Sequence, residues 1–367
     1  MQEAIRIVTN PVPSSPTHPI SVGLNAAIIA MHGTMPLILE VDPALVGQPA
    51  KPPAAVPLHQ DDKERRGGLP FGPFDPLHHR TLETGLRSWV EQQTGLKLGY
   101  VEQLYTFGDR GRRTEEGSNS PHEVSIGYLA LTQLYRDRDD SAAEERSDLQ
   151  APVGGRWHSW YRYFPWEDWR EARPALLDSQ ILPALQQWAK GASDDGNKGL
   201  SPKQRLRLSF GLDGAVWDEE RVLDRYELLY EAGLVEEHYR DRGLSPSTAE
   251  GLLFGQPLQM DHRRILATAI SRMRAKLKYR PVVFELMPGS FTLTELQSTV
   301  EAISGRRLHK QNFRRLVEQA ELVEPTGASA TATGGRPAKL FRFRRSVMAE
   351  RPAPGLRLGS SGSSGGV

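Results

Sequence analysis

The chain has 367 residues, 38% hydrophobic and 25% charged, a length and composition that suit a soluble protein of two or three domains. Its 46 Lys and Arg nearly balance 45 Asp and Glu, for a net charge of +1, and the absence of cysteine excludes disulfides and thiolate metal sites. The longest apolar run, near Ala26–Met31, is far too short to span a bilayer, and residues 1–10 lack a signal-peptide pattern, so a cytoplasmic protein is expected.

Residues 1–19 are polar and proline-rich and read as a flexible N-terminus. Ser21–Met31 and Met35–Val41 read as strands joined at His32-Gly33-Thr34, a hairpin. After a Pro-Ala-rich loop, the spacing of Leu82, Leu86 and Trp89 or Val90 predicts a helix over His79–Gln93, closed by Thr94-Gly95-Leu96. Strands follow at Tyr100–Phe107, Val124–Leu131 and Trp157–Phe164, separated by a basic glycine-containing loop and a highly charged one. A helix over Trp166–Trp188 is expected to kink at Pro183, where the ring removes a hydrogen bond. Lys190–Ser201 reads as a linker, and connecting helices are expected at Glu219–Glu231 and Asp261–Lys278, the latter ended by Arg280-Pro281.

The stretch Phe291–Arg345 reads as helix, turn, helix and two-stranded wing. Thr292 and Glu295 stand at capping-box spacing, and Leu293, Leu296, Val300 and Ile303 mark one buried face before Gly305. The next helix, His309–Ala320, buries Phe313, Leu316, Val317 and Ala320. Gln311, Arg314 and Arg315 then lie opposite that face, flanked by Lys310 and Asn312; such side chains hydrogen-bond bases and phosphates. From Met260 to Glu350 there are 17 Lys and Arg against 8 Asp and Glu, a surplus of nine in a chain of net charge +1. A basic end on an otherwise acidic chain points to a DNA reader joined to something else. The expected DNA-contacting set is Arg306, Arg307, His309, Lys310, Gln311, Asn312, Arg314, Arg315, Arg336 and Lys339, with double-stranded operator DNA as partner. A homodimer is expected from the paired insertion of such helices into successive major grooves.

The order hairpin, Gly-Pro loop, helix, Thr-Gly-Leu, strand resembles a Nudix domain. Anchored on Gly95, the segment Ser88-Trp89-Val90-Glu91-Gln92-Gln93-Thr94-Gly95-Leu96 falls on the family's metal-binding helix. Its arginine position holds Ser88, and its three metal-binding glutamate positions hold Trp89, Gln92 and Gln93. Carboxylates at that spacing share a helix face and hold Mg²⁺; a Trp and two Gln supply no such charge. Tyr100–Asp109, Ser271–Thr294 and Arg306–Leu316 resemble segments of the Nudix-related regulators of NAD biosynthesis, the NadQ/NrtR type. The resemblance implies an α+β fold: a degenerate, Nudix-like α/β/α sandwich sensor over 20–190, a linker with connecting helices over 191–280, a winged helix-turn-helix over 281–347 and a flexible tail over 348–367. It further implies a transcriptional repressor of NAD biosynthesis genes, with no catalytic residues, metal or cofactor. The effector is expected to be NAD, ADP-ribose or ATP. The competing expectation is an active Nudix pyrophosphohydrolase on ADP-ribose, with carboxylates recruited from elsewhere, such as Glu83 or Glu91.

For the effector, His79 and Arg80 begin the box helix, where backbone N–H groups favour anions. Asp109, Arg110, Arg112 and Arg113 form a loop suited to phosphates, although the same composition also suits a solvated hairpin tip. Trp157 stands for the aromatic cluster at 157–169 as a base-stacking wall; most of that cluster is expected to pack a core.

Overall fold

A β-rich start followed by amphipathic helices needs a central strand, and β1 (Ile20–His32) supplies it: residues 23–31 are buried without a break. Such a run, apolar on both faces, belongs in the middle of a covered sheet. The computed structural model describes residues 20–42, 67–109, 122–134, 154–192, 199–245, 253–330, 337–351 and 355–356. In it β1 turns at Gly33 (φ 56°) into antiparallel β2 (Met35–Val41), and pairs antiparallel with the short β3 (Phe71–Pro73). It runs parallel to β5 (His122–Leu131), which in turn pairs with β4 (Tyr100–Phe107); β6 (Gly155–Ser159) lies against β2. The sheet order is β4-β5-β1-β2-β6, with β3 beside the path.

One face of this sheet is covered by α1 (Leu82–Thr94), whose Leu86 and Val90 meet Leu24, Ala26, Ile28 and Trp157. The helix starts later than the spacing predicts, because Thr81 caps it by accepting from the Thr84 N–H. The other face carries α6 (His262–Leu277), and Gly127 of β5 is the point of closest approach: a Cβ there would sit 3.0 Å from Ile265. Through α6 the core runs on, without interruption, to Leu296, Val300, Ile303, Phe313 and Val317 of the C-terminal region.

The segment after β6 differs from the expectation. The strand stops at Ser159, whose hydroxyl accepts from Tyr161 N–H and starts a single helical turn, Trp160–Arg162. A second turn, Pro165–Glu167, follows, and only Leu177–Ile181 and α2 (Leu182–Gly191) are continuous helix. Pro174 lacks an N–H donor and interrupts the long helix predicted from Trp166, whereas Pro183 stands in the first turn of α2, just after the π-helical turn Leu177–Ile181. The sequence reading also overlooks α3 (Pro202–Phe210), which opens with a complete Ser201–Gln204 capping box and closes on Gly211 at φ 63°. With α4 (Val222–Glu231) and the short α5 (Glu236–Arg240) it places Leu206, Phe210, Tyr226 and Leu229 in the main core.

At the C-terminal end α7 (Leu293–Ser304) begins at the predicted box, with Thr292 N–H donating to Glu295 and Glu295 N–H donating to the Thr292 hydroxyl. It ends on Gly305, in the left-handed region at φ 75°. Then come α8 (Lys310–Ala320) and the antiparallel wing β7 (Val323–Ala330) and β8 (Ala338–Phe343). Phe291 exchanges both backbone hydrogen bonds with Phe341, an isolated bridge that ties the segment before α7 to β8, and Phe284 stacks on Phe343 at 4.4 Å. The last helix among the described residues is α9 (Val347–Glu350), and beyond it Leu356 N–H donates to the Leu277 carbonyl of α6 at 2.8 Å. No helix among the described residues is long and apolar enough to cross a membrane.

Candidate functional site

On α8 only Phe313 and Val317 are buried, with Leu316 and Ala320 partly covered. The opposite face is therefore fixed by geometry: Gln311, Arg314 and Arg315 are exposed there, and Lys310 and Asn312 are exposed at its edges. None of these five side chains, nor His309 at the N-cap, makes a hydrogen bond or ion pair among the described residues. Arg263, Arg264, Arg274, Lys276 and Lys278 of the preceding helix region all meet carboxylates within 4.0 Å. His309 also leaves the α8 N-terminus without a side-chain cap, so its first N–H groups face outward. Glu318 lies on the same exposed face as Arg314 and Arg315, a position the helical wheel contains but the search for cations passes over.

The remaining candidates divide. Lys339 on β8 is exposed and without a side-chain partner among the described residues. Arg306 instead turns inward to Glu219 at 3.5 Å. Arg307 meets Glu171 at 2.7 Å and donates to the Arg170 carbonyl. Both bind the protein itself, because the turn after α7 is docked rather than free. Arg336 lies outside the described residues.

In the N-terminal half, the α1 positions that the Nudix resemblance singles out make structural contacts. Trp89 donates its indole N–H to the Pro73 carbonyl at 2.8 Å, and its ring covers Gly72 so closely that a Cβ there would lie 2.1 Å from it. Gln93 is buried and binds Phe71 twice, accepting from its N–H at 3.1 Å and donating to its carbonyl at 2.7 Å. Gln92 donates to Ser88. Glu83 pairs with Arg87 and Glu91 approaches Lys97, both at the surface. No group of three or more His, Asp or Glu positioned for a metal occurs among the described residues. The donor set that a Nudix Mg²⁺ site needs is thus not met by this helix.

Of the proposed effector residues, His79 accepts from the Asp75 N–H through Nδ1 and packs beside Phe74, so it stabilises the loop before α1. Arg80 is exposed, one residue before the cap. Asp109 is occupied by an ion pair with Arg264, tying the end of β4 to α6. Trp157 is buried on the α1 face of the sheet, and its indole N–H has no acceptor among the described residues. Arg110, Arg112 and Arg113 fall outside the described residues.

A cluster that the sequence does not announce sits between the two halves. Glu167 is fully buried and accepts from Arg225 at 2.5 and 2.9 Å and from Arg274 at 2.6 Å. Burial alone would push its carboxyl up, but the two guanidiniums overcome this and hold it below the usual carboxylate range. The three residues are 58 and 107 positions apart, so no local pattern reveals them.

A basic, outward-facing second helix, a capped first helix and a two-stranded wing define a winged helix-turn-helix domain. Residues 283–343 match the family model for the NrtR DNA-binding winged helix domain. The resemblance to Nudix-related regulators is thereby borne out at this end of the chain. The ADPR-responsive transcriptional repressor NtrR of Acinetobacter baylyi is 44% identical over 86 residues, or 23% of this chain and 34% of that protein. The match thus spans about a third of that relative's length. Among solved structures, Shewanella oneidensis NrtR complexed with a 27mer DNA is 18% identical, covering 89% of this chain and 95% of its own, with a TM-score of 0.47. A MutT/nudix family protein from Enterococcus faecalis is 13% identical, covering 91% and 90%, with a TM-score of 0.45. The NUDIX domain of Shewanella oneidensis NrtR complexed with ADP ribose is 18% identical, covering 48% and 94%, with a TM-score of 0.27. Superpositions this loose transfer no side-chain roles.

Proposed function

We propose that this chain is a transcriptional repressor of NAD biosynthesis genes, acting as a homodimer and sensing ADP-ribose or a related adenine nucleotide through a catalytically inactive Nudix-like domain. The observation that carries the reading is the face of α8: cations and amides that the protein leaves unpaired, on a rigid helix, in a molecule whose other arginines are largely paired. Buried or paired cations serve the fold, whereas an unpaired cluster on one helix face serves a polyanion. In this role Gln311, Arg314 and Arg315 read base edges, with Glu318 accepting from a cytosine amino group. Lys310 and Lys339 contact phosphates, as do the free N–H groups at the start of α8.

Support for the sensor comes from the relatives' names, one ADPR-responsive and one complexed with ADP ribose. Support for inactivity comes from the donor set: Trp89 and Gln93 are fixed to Pro73 and Phe71, and neither offers a carboxylate to a cation. The unpartnered indole N–H of Trp157 among the described residues supports reading it as a ligand contact. A ligand with unequal affinity for two arrangements of sensor and reader shifts operator affinity.

The test is fluorescence anisotropy with promoter fragments of NAD biosynthesis genes, with and without ADP-ribose, NAD or ATP. Salt-sensitive, sequence-specific binding that one of these nucleotides alters is the expected result. Equal affinity for operator and scrambled DNA would overturn the reading.

A further inference from the structure

The last turn of any α-helix leaves carbonyls without intrahelical partners. In α7 those of Ala302 and Ile303 are not satisfied within the winged helix. Tyr161 donates its hydroxyl to Ala302 O at 2.7 Å, and Arg274 donates Nε to Ile303 O at 2.9 Å. Two residues on, Gly305 O accepts from the Trp169 N–H at 2.7 Å. The turn that leads into the reading helix is therefore capped by residues 161–169, directly after sensor strand β6, and by α6.

The contact is tight. A Cβ on Gly305 would lie 2.4 Å from Glu167 O, 2.8 Å from Arg274 Nη2 and 3.1 Å from the Tyr161 hydroxyl. Arg274 is itself held by Glu167, which also holds Arg225 of α4. Trp157 stands four residues before Tyr161, on the strand that runs into this segment. Any shift of β6 relative to α6 must either carry the α7–α8 turn with it or leave buried carbonyls without donors.

Resting on the functional reading above, we propose that Tyr161 and Glu167, the latter acting through Arg274, are positioning residues that couple nucleotide binding in the sensor to the placement of the reading helix. They touch neither DNA nor nucleotide. Their role is to make the turn follow the sensor.

The experiment uses the full chain with Tyr161→Phe and, separately, Glu167→Gln. Melting curves establish folding, calorimetry gives ADP-ribose affinity, and anisotropy gives operator affinity with and without ADP-ribose. Wild type is expected to show an operator response to ADP-ribose within the roughly 5- to 150-fold range of ordinary coupling. Tyr161→Phe should bind ADP-ribose within about twofold of wild type, since it leaves the sensor pocket alone, yet its operator response should fall at least about threefold, as loss of one modest hydrogen bond permits. Glu167→Gln, where it folds, should abolish the response; where it does not, Tyr161→Phe decides alone. A folded Tyr161→Phe protein with an undiminished response overturns the coupling role while leaving the repressor reading intact. A wild-type protein whose operator binding ignores ADP-ribose overturns the functional reading and this proposal with it.

Discussion

Replacing Arg314 and Arg315 together by alanine separates fold from function on α8. Both side chains are exposed and unpaired among the described residues, so the protein loses no internal contact. Arg and Ala are both good helix formers, and surface changes of this kind move stability by at most about 0.5 kcal/mol, or under about 1 °C in Tm for a chain this size. Each bidentate contact to a base is worth about 1–3 kcal/mol, so losing two weakens specific binding by about 2–6 kcal/mol, at the least about 30-fold. The assay is anisotropy on operator and scrambled duplexes across a salt series, beside a thermal melt. The double variant should lose its preference for operator while its melt stays with wild type. An operator affinity within twofold of wild type, in a protein that melts normally, would show that this face does not read DNA.

Other expectations follow from packing and charge. Gln93→Ala removes the side chain that binds the buried N–H and carbonyl of Phe71, and should cost about 2–6 kcal/mol by denaturant unfolding, at about 1–3 per group; a change under about 0.5 would place those groups in contact with water. Glu167 titrates below its ordinary value of 4.5 in the fold, so its stabilising contribution is complete above pH 4.5 and is lost as pH falls through the depressed value. Glu167→Gln should accordingly be less stable than wild type near neutrality, with the gap narrowing below pH 4.5; a gap independent of pH would contradict the charge argument. Incubation with Mg²⁺ or Mn²⁺ and ADP-ribose should release no product, and steady metal-dependent turnover would require carboxylates outside the positions of the Nudix helix. Arg306→Ala should lower stability rather than operator affinity, because its guanidinium faces Glu219; the reverse outcome would put it on DNA.

Local chemistry made much of the winged helix legible. Thr292 and Glu295 start α7 and Gly305 stops it because caps act over three or four residues, a distance that a sequence displays directly. The exposed face of α8 follows in the same way from the spacing of Phe313 and Val317. That Trp89, Gln92 and Gln93 stand where the resembled Nudix helix carries acids is likewise a matter of reading residues, and it set the expectation about hydrolysis. Tertiary structure decided the rest. Arg306 and Arg315 look alike in a sequence, yet one faces Glu219 and the other faces solvent, because a distant segment docks on the turn after α7. The sequence reading carried one helix from Trp166 through Pro174, and no local pattern showed that this broken stretch would cap the end of α7. The Arg225–Glu167–Arg274 cluster joins residues from three parts of the chain, and only folding brings them within hydrogen-bond reach. Periodicity and caps encode short-range free energies, whereas buried charge pairing depends on which surfaces the whole chain brings together.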